Sequence, residues 1–206
     1  MRSKILLKRI LLIITLVGLV IFIILAILLY LAPRYIAKSD PVMPIEKIVT
    51  SFIKEQPSFG LPVRLTIPGI NVDAAVEYVG LTASGAMDVP KSPEGVGWFD
   101  LSSHPGNIGS AVIAGHYGVW KNGEETVFNT LNKLRQGDKL FVEDDKGATI
   151  SFVVRESRSY DPDADASDVF KSNDGKSHLN LITCEGIWNN TSESYPKRLV
   201  VFTDKQ

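Results

Sequence analysis

The chain has 206 residues, with 22 Lys+Arg, 23 Asp+Glu, 3 His and 1 Cys, and 45% of it is hydrophobic. That length fits one well-cored domain with an appendage, and the composition excludes a disordered tail or a collagen-like fibre. The net charge of −1 averages two unlike pieces: residues 1–34 carry +5 with no acidic residue, and the remainder carries −6, with 17 basic against 23 acidic residues. A mildly acidic body is a poor electrostatic footprint for nucleic acid, so no nucleic-acid partner is expected.

From Ile10 to Ala32 there are 23 consecutive uncharged residues, mostly Leu, Ile, Val and Phe. As a helix this run would extend about 35 Å, enough to cross a hydrocarbon core of about 30 Å. Arg2, Lys4, Lys8 and Arg9 precede it, so the positive-inside rule predicts a single-pass anchor in the cell membrane, with the N-terminus cytoplasmic and the body outside. Tyr30 falls where an interfacial aromatic would. A cleaved signal peptide has a shorter apolar core of about 7–15 residues followed by a small-x-small site, which favours a retained anchor over residues 1–34. Residues 35–60 read as a stalk, punctuated by Pro41, Pro44 and Pro57. Within it Ile45, Ile48, Val49, Phe52 and Ile53 recur at helical spacing after Pro44, a good first helical residue.

Residues 61–206 read as a mainly β domain. Short apolar or alternating runs separated by Gly, Pro, Asn and Asp predict strands at Pro62–Pro68, Ala74–Val79, Ala86–Val89, Ser110–His116, Lys139–Glu143, Thr149–Ser157, Leu179–Cys184 and Arg198–Thr203. So many short strands suggest a closed barrel or a sandwich. A helix is predicted over Val127–Arg135, where Val127, Phe128, Leu131 and Leu134 make an apolar face and Gly137 supplies a stop. A second short helix is predicted over Asp165–Phe170.

A lone cysteine has no internal disulfide partner, so Cys184 is buried and inert, paired between chains, or a working thiol. It ends the apolar run Leu179–Thr183 and is followed by Glu185-Gly186, a strand tip opening into a loop, where rigid sheets often present reactive groups. Alternation puts Asn180, Ile182 and Cys184 on one face, away from Leu179 and Leu181. Thiol catalysis also needs a proton carrier and a group that holds an oxyanion. Of the histidines, His104 lies in a loop, His178 sits at a strand start beside Lys176, and His116 shares with Cys184 the end of a hydrophobic strand. His116 is therefore the best proton carrier, and Gly115 before it leaves room for close approach of backbone or substrate. Arg198 opens the last strand 14 residues after the cysteine, a separation suited to the far arm of a hairpin. A solvated strand-end charge is the alternative for it.

These residues resemble the sortases, membrane-anchored cysteine transpeptidases of Gram-positive and related bacteria. Asn180-Leu181-Ile182-Thr183-Cys184 is similar to the family's Thr-Leu-x-Thr-Cys signature, with Asn180 departing from Thr. Ala114-Gly115-His116 is similar to its histidine motif, and Lys197-Arg198-Leu199-Val200-Val201-Phe202 to its arginine strand. Arg64-Leu65-Thr66-Ile67-Pro68, Met87-Asp88-Val89-Pro90, Gly97-Trp98-Phe99 and Cys184-Glu185-Gly186 most resemble the class F group. The resemblance implies an eight-stranded sortase-type β-barrel with one or two short helices over residues 61–206.

It also implies that Cys184 is the nucleophile, His116 the proton carrier and Arg198, with the backbone N–H of Glu185, the oxyanion partner, while Thr183 helps to position substrate or thiol. The implied substrates are surface proteins bearing an LPxTG-type C-terminal sorting signal, and the acceptor is an amine such as that of a peptidoglycan precursor in the cell wall. Two alternatives stand beside this: a pilin-polymerising sortase, which typically carries a lid and often a C-terminal membrane helix that a chain stopping at Gln206 would lack, and a non-catalytic, membrane-tethered binding module. The Ser-His-Gly-Cys context of transpeptidases acting on peptidoglycan stem peptides is absent. No cofactor is implied. Asp161-Pro162-Asp163-Ala164-Asp165 begins like a calcium loop, but Ala166 and Ser172 stand where an EF-hand requires Gly and Glu, which leaves only a looser calcium site of the kind some sortases have.

Overall fold

The computed structural model describes residues 15–28, 30, 59–121 and 123–206. The chain divides into two compact units, Met1–Lys54 and Glu55–Gln206. In the first, residues 15–28 are helical with exposed side chains. Among the described residues no helix is long and apolar enough to cross a membrane. The remainder of the predicted span and the predicted stalk helix lie outside the described residues.

The second unit is built from eight strands: β1 (Pro62–Ile67), β2 (Val72–Val79), β3 (Val96–Phe99), β4 (Gly109–Gly115), β5 (Lys139–Asp144), β6 (Thr149–Tyr160), β7 (Ser177–Glu185) and β8 (Lys197–Lys205). They close into a barrel in the order β1-β2-β3-β4-β7-β8-β6-β5, with β5 pairing back on β1. Closure removes free sheet edges. Two pairs are parallel, β2 with β3 and β4 with β7. Alternate residues of each strand enter one core: Leu65 and Ile67 of β1, Trp98 of β3, Ile113 of β4, Phe152 of β6, and Leu179 and Leu181 of β7 are all essentially inaccessible.

Seven predicted strands coincide with observed ones, within a few residues at their ends. The expected strand Ala86–Val89 is instead loop, touching the sheet only through an isolated Leu81–Met87 bridge. Pro90 has no N–H to give a ladder, and Asp88 donates its amide to Gly80 in a turn. The missing strand is β3, a short run interrupted by Gly97. Gly97 is required there because a Cβ would lie 2.9 Å from Val79 of the parallel neighbour β2.

The predicted helix Val127–Arg135 is corrected to turns and a 3-10 segment, Leu131–Lys133. Its apolar face is real, with Phe128, Leu131 and Leu134 in the core. The amides of Leu131, Lys133 and Leu134, however, donate three residues back, to Phe128, Thr130 and Leu131, so the segment winds as 3-10 turns and no α-helical ladder forms. The second predicted helix is a single turn, Ser167–Phe170. β6 runs on to Tyr160 because β8 pairs with it throughout, a register shift between Val154 and Glu156 breaking the alternation that sequence periodicity depends on.

Candidate active site

The antiparallel β7–β8 pairing sets Cys184 directly opposite Arg198. Directly opposed residues share a face with Cβ atoms about 5 Å apart. On the other side of β7, β4 runs parallel with Ala114 matched to Ile182, so His116 leaves its strand level with Cys184. The Thr183 hydroxyl donates to the Gly115 carbonyl at 2.7 Å and ties these two strand ends together. Thiol, imidazole and guanidinium therefore stand at one end of three adjacent strands, in a groove of about 320 Å³. Its walls are Ala86–Val89, the Tyr160–Ala166 turn, and Val169 and Phe170.

Gly115 is glycine for a steric reason: the Phe128 ring fills the space, and a Cβ there would lie 2.4 Å from it. His116 is held by its own surroundings. Its Nε2 lies 2.7 Å from the Pro90 carbonyl, which can only accept, so Nε2 carries the proton and Nδ1 is the nitrogen able to take up and return another. The ring leans on Trp120 with centroids 4.7 Å apart. Arg198 is aimed by its own strand entry, Nη1 donating to the carbonyls of Tyr195 at 3.1 Å and Lys197 at 3.0 Å.

Burial pushes the half-buried Cys184 thiol above its ordinary pKa, and Arg198 pulls it the other way. Desolvation outweighs the cationic help from Arg198, so the net shift disfavours the thiolate.

Thr183 points into the barrel and is buried, so its hydroxyl positions the β4 end rather than the solvent side of the groove. Glu185 pairs with Lys197 in register, and its carboxylate accepts from Ser159 on β6. Lys197 in turn pairs with Asp161 at 2.7 Å, fastening the turn that walls the groove. The two other histidines lie elsewhere: His104 packs edge-on to Trp98, and His178 is buried between Asp174 and Asp204.

In the acidic turn that resembles a calcium loop, two carboxylates, those of Asp161 and Asp165, are engaged by the protein itself. Asp161 holds Lys197, Asp165 accepts from the Ser167 amide, and Asp168 pairs with Arg158. Among the described residues no group of three or more His, Cys, Asp or Glu is assembled to hold a metal ion. Sequence reading misses the Pro90 carbonyl that fixes the imidazole, because a backbone acceptor leaves no residue signature.

A closed β-barrel with cysteine, histidine and arginine level at one strand end defines a cysteine-dependent acyl-transfer scaffold. Residues 65–206 match the Sortase family model, described as the sortase domain. The chain belongs to the sortase family, and it is a cysteine transpeptidase.

Among solved structures it is similar to sortase C-1 from Actinomyces oris, at 25% identity and a TM-score of 0.55, over 82% of this chain and 85% of that one. Sortase C-1 from Streptococcus pneumoniae is similar at 26% identity and a TM-score of 0.54, over 70% of this chain and 66% of that one. The lid mutant of sortase A from Corynebacterium diphtheriae shares the fold at 19% identity and a TM-score of 0.55, with 82% of each chain covered. A search of curated protein sequences gave no match.

Proposed function

We propose that the protein cleaves an LPxTG-like sorting motif at the C-terminal end of surface proteins and transfers them to an amine of a cell-wall precursor. The observation that carries this reading is the strand register, which sets Cys184 opposite Arg198 and level with His116 at the end of an apolar groove. The groove accommodates a short extended peptide, whose apolar residues pack against Val169 and Phe170 while its scissile carbonyl reaches Cys184.

In the first half-reaction Cys184 Sγ gives its proton to His116 Nδ1 as it attacks and bonds to the carbonyl carbon. Arg198 and the backbone N–H of Glu185 hold the oxyanion. The C–N bond then breaks, and the departing amine takes a proton from His116 Nδ1, leaving a thioester. In the second half an incoming amine attacks the thioester, gives its proton to His116 Nδ1 and expels the sulfur, which takes that proton back from His116. No cofactor enters either half. The class F assignment rests on the Arg64–Pro68, Met87–Pro90 and Gly97–Phe99 motifs. The basic residues before the apolar run support a single-pass anchor with a cytoplasmic N-terminus and an extracellular catalytic domain.

The test is mass-spectrometric detection of cleaved and amine-joined products from an LPxTG-type peptide library with an amine acceptor present. Wild type should yield joined product and Cys184→Ala none. Equal cleavage by the two proteins would sink the proposal.

A further inference from the structure

β7 turns Asn180, Ile182 and Cys184 to the outer face of the barrel. Over this face sits the single turn Ser167–Phe170, whose Val169 forms with Val200 and Phe202 a small apolar cluster separate from the main core. A single turn has no stability of its own, so its placement is set by what grips it. From outside, Asp168 accepts from Arg158 Nη1 at 2.7 Å and from the Tyr160 hydroxyl at 2.9 Å. From beneath, Asn180 Nδ2 donates to the Val169 carbonyl at 2.6 Å. The same turn gives Val169 and Phe170 to the groove that ends at Cys184.

Asn180 is 1% exposed, and its Oδ1 is buried with no hydrogen-bond partner among the described residues. A buried acceptor left unpaired is destabilising, whereas an apolar side chain of the same shape would leave no polar group unpaired. What the carboxamide adds is a fixed position for Val169. The Thr of the resembling signature would not supply this, because its hydroxyl ends one atom short of the place where Nδ2 sits.

We propose that Asn180 is a positioning residue for substrate binding, pinning the groove wall so that Val169 and Phe170 stand preset against the arriving peptide. This rests on the reading of the groove as the sorting-peptide site. Presetting acts before chemistry, so it lowers KM and leaves kcat alone.

The test uses the full-length chain with Asn180→Leu, which removes donor and orphan acceptor at constant shape, and Asn180→Asp, which sets a second acceptor against the Val169 carbonyl. Both variants should raise KM for the sorting peptide about three- to tenfold, the range of one hydrogen bond. In both, kcat should stay within about twofold of wild type. Alkylation of Cys184 by iodoacetamide should keep the wild-type rate, and hydrogen exchange at the Val169 and Lys171 amides should accelerate. Asn180→Leu should retain or raise the melting temperature.

A loss of melting temperature or of folding in Asn180→Leu would make the amide a stability element and overturn the proposal. So would a fall in kcat at constant KM, or unchanged exchange in both variants. If wild type cleaves no sorting peptide, the groove reading fails on its own, and exchange at Val169 and Lys171 decides the pinning alone.

Discussion

Replacing Thr183 by Val removes one hydroxyl from the joint between β7 and β4 and changes little else in shape. In the native protein that hydroxyl donates to the Gly115 carbonyl at 2.7 Å, and Thr183 is buried. Loss of one buried neutral hydrogen bond, with its acceptor left short of a partner, costs about 1–2 kcal/mol. For a unit of this size that lowers the melting temperature by about 3–8 °C. Because Gly115 is bonded covalently to His116, the freed carbonyl also loosens the imidazole relative to Cys184, and a displacement near 1 Å in a reacting group can cost about a hundredfold in rate. The expected result is a fall in kcat/KM for a fluorogenic sorting peptide of about ten- to a hundredfold, carried by kcat, alongside the modest loss of thermal stability. Thr183→Ser keeps the donor and should be close to wild type in both measurements. A Thr183→Val protein that loses stability yet keeps wild-type kcat, or a Thr183→Ser protein as impaired as Thr183→Val, would refute a coupling of this hydroxyl to His116.

Arg198→Gln removes the charge that opposes desolvation of Cys184, so the pH profile for alkylation of the thiol should move to higher pH; a profile that stays or moves down contradicts the assignment. Asp144 is buried and accepts from the amides of Gly60, Ala148 and Lys146, the first of these being the main reason that its carboxyl is held below its ordinary pKa. A depressed carboxylate contributes stability above its unfolded pKa and loses it as pH falls through the folded value. Asp144→Asn should therefore cost about 2 kcal/mol in denaturant titrations at neutral pH. That gap to wild type should narrow on acidification below about pH 4. Gly115→Ala forces a methyl against Phe128 and should cost about 1–3 kcal/mol by calorimetry, together with most of the peptide-cleaving activity.

The barrel was legible in the sequence wherever one strand face is apolar and the other is not, as in β1, β5 and β7. It was illegible where burial on both sides met glycine: β3 has two residues with side chains larger than Val, and its place between β2 and β4 comes from partners distant in sequence. The segment after Val127 shows the opposite failure, since its periodicity correctly marks the buried side chains while its amides bond three residues back rather than four. Cys184, His116 and Arg198 stand out because each marks a strand end, a property that one sequence displays. Asn180 stands out only as a departure from a motif. Its partner, the Val169 carbonyl, lies 11 residues away, across a turn whose path no local pattern fixes.

The parallel pairing of β4 with β7 has a further bearing on how the enzyme comes into being. Thr183 and Gly115 are 68 residues apart, and β5, β6 and the Ser167–Phe170 turn lie between them in the chain. Pairing at such separation requires closure of a long loop before any contact compensates for it, and so belongs to the late, slow part of folding. Until that seam forms, the cysteine has no imidazole beside it, even where the local β7–β8 pairing already sets Arg198 opposite it. A chain interrupted on its way to the barrel thus carries Cys184, His116 and Arg198 without the site they form, and completion of the β4–β7 seam assembles it.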